Sequence, residues 1–493
     1  MIEAQLPALQ VVLPLIGAVL AALVRRGGPA YAITLIVSLI LPVISWLLLD
    51  RVLTTGPISY TFGNWAPELG IEYRIDAANG LLILLVSAIG AVIVPFARRS
   101  VASEIEEDRI AWFYSLYLMC MCGLLGIAIT GDAFNAFVFL EISSLSTYVL
   151  IALGRDRRAL LAAYQYLIMG TIGATFYIIG VGLLYIMTGT LNLALIAERI
   201  VDVESTKPVL AALAFIVVGI SLKLALFPLH VWLPNAYAYA PSLATVFLAA
   251  TATKVAIYLF VRYLFSVFGV VFVFADLPVR AILVVLSIAA TFGAATVAVF
   301  QSDLKRMLAY SSVGQVGYIT LGVALANLNG LTGGLVHLLN HALIKGALFM
   351  SVGAVVFRSG KVAMEDLAGI GRQMPVTMSA FLVAGLGLIG VPGTAGFVSK
   401  WYLIVAALEV GWWWLAFLIV ASSLIALVYV GRVVEAAWFR EPTKALAGVK
   451  EAPLEMLAPI WIMAFASLYF GIDTEFTAGL AGKAAATLLA GLR

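Results

Sequence analysis

Charge is what this sequence has least of. Only 11% of its 493 residues are Asp, Glu, Lys or Arg, whereas a soluble domain carries about 25%. The net charge of +3 says little, and no nucleic-acid partner is expected. Cysteine is nearly absent: Cys120 and Cys122, in "LYLMCMCGLL", are too few for a four-thiolate cluster and read as small buried apolar groups. Long polar segments are missing too. The longest connections, 51–76, 98–110 and 189–208, are too small to house a nucleotide or a redox centre, and no cofactor is expected.

What is present is apolar length. Hydrophobic residues make up 63% of the chain, and crossing a hydrocarbon core takes roughly 20 of them in a row. About fourteen such stretches can be marked, near 5–25, 31–50, 77–97, 111–130, 133–153, 161–188, 209–239, 242–264, 279–300, 307–327, 330–357, 376–408, 412–438 and 453–475. In lipid, only helices or closed barrels satisfy the backbone, so the expected fold is an all-α membrane protein. The start, "MIEAQLPALQ", lacks the basic residues and cleavage site of a signal peptide, so the first span is expected to stay. Loops after odd-numbered spans hold the larger share of Lys and Arg. The opposite side, termini included, has Arg51, Arg74, Arg199, Lys207, Arg262, Arg280, Lys483 and Arg493. Cytoplasmic loops are the basic ones, which predicts a multi-pass chain with both termini on the non-cytoplasmic side. The stretch "LNLALIAERIVDVESTKP" is expected to form a short interfacial helix.

Two spans are interrupted. "FPLHVWLPNAYAYAP" carries Pro228, Pro234 and Pro241, and "GLIGVPGTAGFVSKW" carries Pro392 among glycines; proline removes a donor and clashes with the preceding turn. Each break has an ionisable residue followed closely by tryptophan, His230 with Trp232 and Lys400 with Trp401. The breaks are five spans apart, in the seventh and twelfth, which suggests two five-helix repeats. An odd offset inverts one repeat relative to the other, and paired broken helices in inverted repeats mark ion sites.

The ionisable residues inside the spans carry the chemistry. Lys223 lies about 21 Å into its span at ~1.5 Å per residue, Lys254 is central in "LAATATKVAIYLF", and Glu141 is central in "GDAFNAFVFLEISSLSTYVL". A charge at mid-bilayer on a lipid-facing surface costs at least about 2.5–3.5 kcal/mol, so these groups are expected to face the interior. A buried Glu141–Lys223 pair that merely pins two helices is the plainer alternative. In "HLLNHALIKGALFM", His337, His341 and Lys345 recur at every fourth residue along one helix face. Imidazole titrates near neutral pH, so the row suits proton transfer; a hydrogen-bonded histidine pair, or two metal ligands with no HExxH glutamate, is the alternative. With Lys400, these residues form a chain of titratable groups across the middle of the protein. "GLGLIG", residues 385–390, matches GxGxxG but sits inside an apolar helix with no strand before it, so its glycines are assigned to close helix packing.

"FNAFVFLE", "LKLALFPLHVWLPNAYAYAPS", "LKRMLAYSSVGQVGY", "HLLNHALIKGALFM" and "GVPGTAGFVSKW" resemble the antiporter-like subunits shared by Mrp multisubunit sodium/proton antiporters and respiratory complex I. "GNWAPELGIEYRID" and "FVFLEISSLSTYVLIA" look most like the Mrp D type. The resemblance implies fourteen helices with helices 4–8 and 9–13 as inverted repeats, and helices 7 and 12 broken. Expected divisions are 1–110 (helices 1–3), 111–264 (first repeat), 265–440 (second repeat) and 441–493 (helix 14 and tail). By motif, Glu141 is the helix-5 glutamate, Lys223 the broken-helix lysine, Lys254 the helix-8 lysine and Lys400 the second broken-helix lysine. The M type of complex I subunit usually has glutamate at the Lys400 position. Tyr237 stands where the family often has histidine, so that histidine's role does not transfer. The expected function is a proton-translocating transporter subunit in the cell membrane, not itself an enzyme. Its partners would be other subunits of a hetero-oligomeric antiporter, lipid, protons and sodium, with Glu141 and Asp132 as candidate sodium ligands; the rival is a proton-pumping subunit of complex I or a membrane-bound hydrogenase.

Overall fold

A computed structural model describes residues 3–203, 206–443, 446 and 448–491; of the residues used to orient the chain, Lys444 and Arg493 lie outside them. The membrane-crossing elements are α1 (Leu6–Val24), α2 (Gly27–Thr55), α3 (Ala77–Glu104), α4 (Ile110–Ile129), α5 (Ala133–Ala152) and α6 (Arg158–Thr188). They continue with α7 in two halves (Thr206–Leu224 and Trp232–Tyr239), α8 (Ser242–Val267), α9 (Val279–Val299), α10 (Leu304–Leu325) and α11 (Leu328–Ser359). Then come α12 in two halves (Pro375–Ile389 and Ala395–Glu409), α13 (Trp413–Phe439) and α14 (Leu454–Ile472). Among the described residues, 13 helices are long and apolar enough to cross a membrane. The two short halves of α12 supply the fourteenth crossing.

Helices α4–α8 and α9–α13 are the two inverted repeats. The first enters from the end of the bundle where α3 finishes, the second from the end where α8 finishes, so equivalent helices run in opposite senses. Within the first repeat α6 packs along the first half of α7, and small residues allow it: a Cβ on Gly219 would stand 2.6 Å from the Gly173 carbonyl oxygen.

Two features of the polar connections are not legible in the sequence. Residues 51–76 contain a hairpin, β1 (Ile58–Thr61) antiparallel to β2 (Glu72–Ile75), and the tail folds as α15 (Glu475–Ala490) against α11 and α3. The end of the bundle that carries the hairpin is called the hairpin end below. The stretch after α6 does form a short helix, Leu193–Arg199.

Both breaks fall where proline and glycine place them. The first half of α7 stops at Leu224, Ala225 takes a left-handed φ of 60°, and Pro228 lies in the gap. Pro234 sits in the first turn of the second half, where its missing N–H costs nothing, and Pro241 ends it. In α12 the gap runs over 390–394, with Gly390 at φ 88° and Gly393 at φ 85°, a region that favours glycine. The tryptophans after the two breaks are not equivalent. Trp232 is buried, stacks on Tyr166 with centroids 3.7 Å apart and donates Nε1–H to the Leu222 carbonyl at 2.8 Å, bridging the gap. Trp401 is 55% exposed.

Candidate functional site

Lys223 sits in the last turn before the first break, buried. Its ammonium donates to Ser144 Oγ and, at 3.5 Å, to Tyr148 Oη, both on α5. The space is kept by Gly170 on α6: a Cβ there would come 1.9 Å from Tyr148 Oη and 3.4 Å from Lys223 Nζ. A cavity of about 30 Å³ adjoins the amine, lined by Ser143, Ser144 and Thr147 of α5 and by Ala252, Val255 and Ala256 of α8. Hydroxyls line part of it, it has room for ordered water, and its α8 wall lies on the side of that helix away from Lys254.

Glu141 does not pair with Lys223 in this structure. Its Oε1 is buried without a hydrogen-bond partner, yet the residue as a whole is only half-buried. The expectation that it faces the interior is therefore met in part. The reason is that α5 lies at the edge of the single chain: Phe134, Val138, Leu145 and Val149 on the same flank are all exposed. Asp132, the other candidate sodium ligand, is at the hairpin end as the N-cap of α5, its Oδ1 accepting Asn135 N–H at 2.7 Å. Nine residues of helix separate it from Glu141, roughly 13 Å at 1.5 Å per residue, so the two do not form one site. No group of three or more His, Cys, Asp or Glu among the described residues is placed to hold a metal ion.

Lys254 is 0% exposed. A widened π turn, Leu248–Ala252, ends two residues before it and presents the Ala249 carbonyl to its ammonium, with Thr253 Oγ1 at 3.3 Å. Such turns loosen the helix ladder and recur at functional sites. On α11, His337, His341 and Lys345 are all buried, as their spacing predicts. The two imidazoles lie 6.2 Å apart and nearly parallel. Both ring nitrogens of His341 lack a partner; Lys345 donates to the Leu308 carbonyl at 2.8 Å and to Ser311 Oγ.

His337 is held on both sides, Nε2 by Gln315 Oε1 at 2.9 Å and Nδ1 by Ser399 Oγ at 2.8 Å. With Gln315 presenting its amide oxygen, Nε2 carries a proton. A neutral ring then accepts the Ser399 hydroxyl proton at Nδ1. A doubly protonated ring donates there instead, and Ser399 turns to the Gly396 carbonyl, 3.0 Å away. Both protonation states are thus satisfied without moving a helix.

Lys400, next to Ser399, lies in the second half of α12 but reaches back across the gap. Its ammonium donates to the Ile389 carbonyl at 2.7 Å, to the Leu388 carbonyl at 3.4 Å and to Ser423 Oγ at 2.9 Å. These carbonyls are the unsatisfied C-terminal end of the first half, where a cation is favoured. Tyr318 lies below the amine, ring centroid at 4.8 Å.

Residues 130–426 match the family described as NADH:quinone oxidoreductase/Mrp antiporter. The chain belongs to that family. Among curated proteins it is 41% identical to the N subunit of the NADH-quinone oxidoreductase of Desulforudis audaxviator, over 96% of each chain. It is 29% identical to the D-type subunit of the Na(+)/H(+) antiporter of Bacillus subtilis, over 91% of this chain and 89% of that one. Among solved structures it superposes on a chain of the Mrp complex from Dietzia sp. with a TM-score of 0.90 at 27% identity, covering 99% and 98% of the two chains. A chain of the membrane-bound sulfane sulfur reductase, an archaeal respiratory membrane complex, gives a TM-score of 0.88 at 31% identity, with the same coverage. The protein is therefore an antiporter-like, multi-span membrane subunit, and the structures it resembles belong to multisubunit complexes.

Sequence reasoning finds every lysine and histidine of the row but misses the groups that hold them: Ser144, Tyr148, Gly170, Ser311, Gln315, Tyr318, Ser399 and Ser423. Hydroxyls and amides are unremarkable one at a time, although "EISSLSTY" and "YSSVGQVGY" cluster them on two spans. Arg262 needs a correction. The charge distribution counts it among the loop residues, but it lies within α8, buried and ion-paired with Asp76 Oδ2 at 2.7 Å. The rejected signals behave as expected: Cys120 and Cys122 are buried and free, and Gly385 and Gly387 meet Val430 of α13 and Ser467 of α14.

Proposed function

We propose that this chain is the proton-translocating subunit of an Mrp-type cation/proton antiporter in the cell membrane, with the hairpin end on the non-cytoplasmic side. The observation that carries the proton role is the run of buried amines and imidazoles, none held by a carboxylate and all but His341 held by a hydroxyl or carbonyl. Protons would enter the first repeat, 111–264, at Lys223 under the influence of Glu141. They would pass from the cavity beside Lys223 around α8 to Lys254, and run along His341 and His337 to Lys400 in the second repeat, 265–440. Sodium would bind partly or wholly on a neighbouring subunit, since carboxylates within the spans are few.

A second reading is favoured by the 41% identity to an N subunit of NADH-quinone oxidoreductase along the whole chain: the same proton path, driven by electron transfer in a redox complex. Everted vesicles separate the two. Sodium-induced proton movement that needs the co-encoded subunits supports antiport; proton movement that needs an electron donor and is indifferent to sodium supports the redox assembly. The purified single chain is expected to move no protons in response to sodium, and robust exchange by it alone would place the sodium site on this subunit.

A further inference from the structure

On α8, Lys254, Tyr258 and Arg262 recur at every fourth residue and so lie along one face, running from mid-membrane toward the hairpin end. Arg262 Nε donates to Tyr258 Oη at 3.0 Å, and its Nη2 meets Asp76 Oδ2 at 2.7 Å with both side chains 5% exposed. Asp76 is already occupied as the N-cap of α3, its Oδ1 accepting Ala78 N–H at 2.9 Å and Asn79 N–H at 3.2 Å. The remaining Nη1 of Arg262 is buried with no partner. Beside it lies a cavity of about 10 Å³ that the pair shares with Arg74 of β2, Thr130 and Leu193.

We propose that Arg262, held by Asp76, is a fixed positive charge that closes the first repeat to protons at the hairpin end. The inference rests on the proton reading above. A proton carried to Lys254 has two polar ways onward: across to the α11 row, or down α8 past Tyr258. The second would release it without passing Lys400 and would short-circuit the second repeat. Arginine does not deprotonate in proteins, so it cannot relay a proton, and a fixed cation in a narrow passage is an electrostatic barrier to further positive charge. A pair that served only to pin α3 to α8 would work as well uncharged, because replacing a buried ion pair by neutral groups is often tolerated.

The test uses everted vesicles containing the full chain with its co-encoded subunits, and follows the decay of an imposed pH gradient with no driving substrate. Arg262→Gln combined with Asp76→Asn removes both charges while keeping a hydrogen-bonding pair and an N-cap, since Asn caps as well as Asp. The expected result is several-fold faster decay with normal recovery of the complex, suppressed by adding Lys254→Ala and absent in Arg262→Lys. An unchanged decay rate with driven proton movement intact would overturn the barrier and leave the proton reading standing. Wild-type vesicles with no driven proton movement, in which Lys223→Ala also changes nothing, would sink the proton reading and the barrier with it. Should the polar double variant not assemble, Arg262→Met with Asp76→Leu replaces it; failure of both neutral pairs to assemble identifies a structural pair and overturns the barrier.

Discussion

The two broken helices solve one problem in different ways. In each repeat a lysine stands near a tyrosine of a neighbouring helix, Lys223 with Tyr148 of α5 at 6.0 Å from the ring centroid and Lys400 with Tyr318 of α10 at 4.8 Å. Matching the tyrosines puts Glu141 of α5 at the position of Ser311 in α10. The first repeat thus has a carboxylate beside a lysine that is held by hydroxyls alone. The second has no carboxylate there, and its lysine is fixed by the carbonyl end of a half-helix. On the proposed path both lysines take up and release a proton, the first beside a carboxylate that could move and the second against the fixed dipole of a half-helix end. In the proposed path Glu141 acts as a switch on the first lysine, and the second has no such partner.

The largest effects should come from the lysines themselves. Lys223→Ala and Lys400→Ala should each abolish driven proton movement in vesicles while the complex is recovered normally, because an apolar helix still inserts; full activity of either variant would remove that repeat from the path. The comparison sharpens at Glu141. Glu141→Gln should slow transport strongly, and Glu141→Gln with Lys223→Met should not restore it, although a mere ion-pair staple tolerates loss of both charges. Transport by the double variant would turn the switch into a staple.

Smaller effects belong to the residues that shape each lysine's surroundings. Gly170→Ala forces Tyr148 aside and should cost about 1–3 kcal/mol, as overpacking does. It should lower the thermal stability of the complex and slow transport through the first repeat; unchanged values for both would mean that Tyr148 moves freely. Ser399→Ala removes one bond from His337, worth about 1 kcal/mol. A modest loss of rate and a shifted pH–rate profile are expected, since the hydroxyl that adapts to both protonation states is gone. An identical profile would exclude Ser399 from proton handling.

Most of the fold is written in the one-dimensional pattern. Apolar runs of membrane length, prolines and glycines at 225–241 and 390–396, and lysines in the middle of spans are local facts, and lipid leaves the backbone few other solutions. That is why fourteen crossings, two broken helices and the buried row on α11 follow from composition and spacing. The periodicity of His337, His341 and Lys345 needs no partner to reveal a shared face. What tertiary structure alone decided is what each charge meets. Lys400 reaches residues 11 and 12 positions back across a gap, Ser399 and Gln315 meet on His337 from different helices, and Arg262 finds Asp76 far along the chain. Glu141 ends half-covered because α5 lies at the edge of the single chain. A hydroxyl, an amide or a carbonyl carries no mark in sequence of the amine it will hold, because that pairing depends on how helices distant in the chain pack.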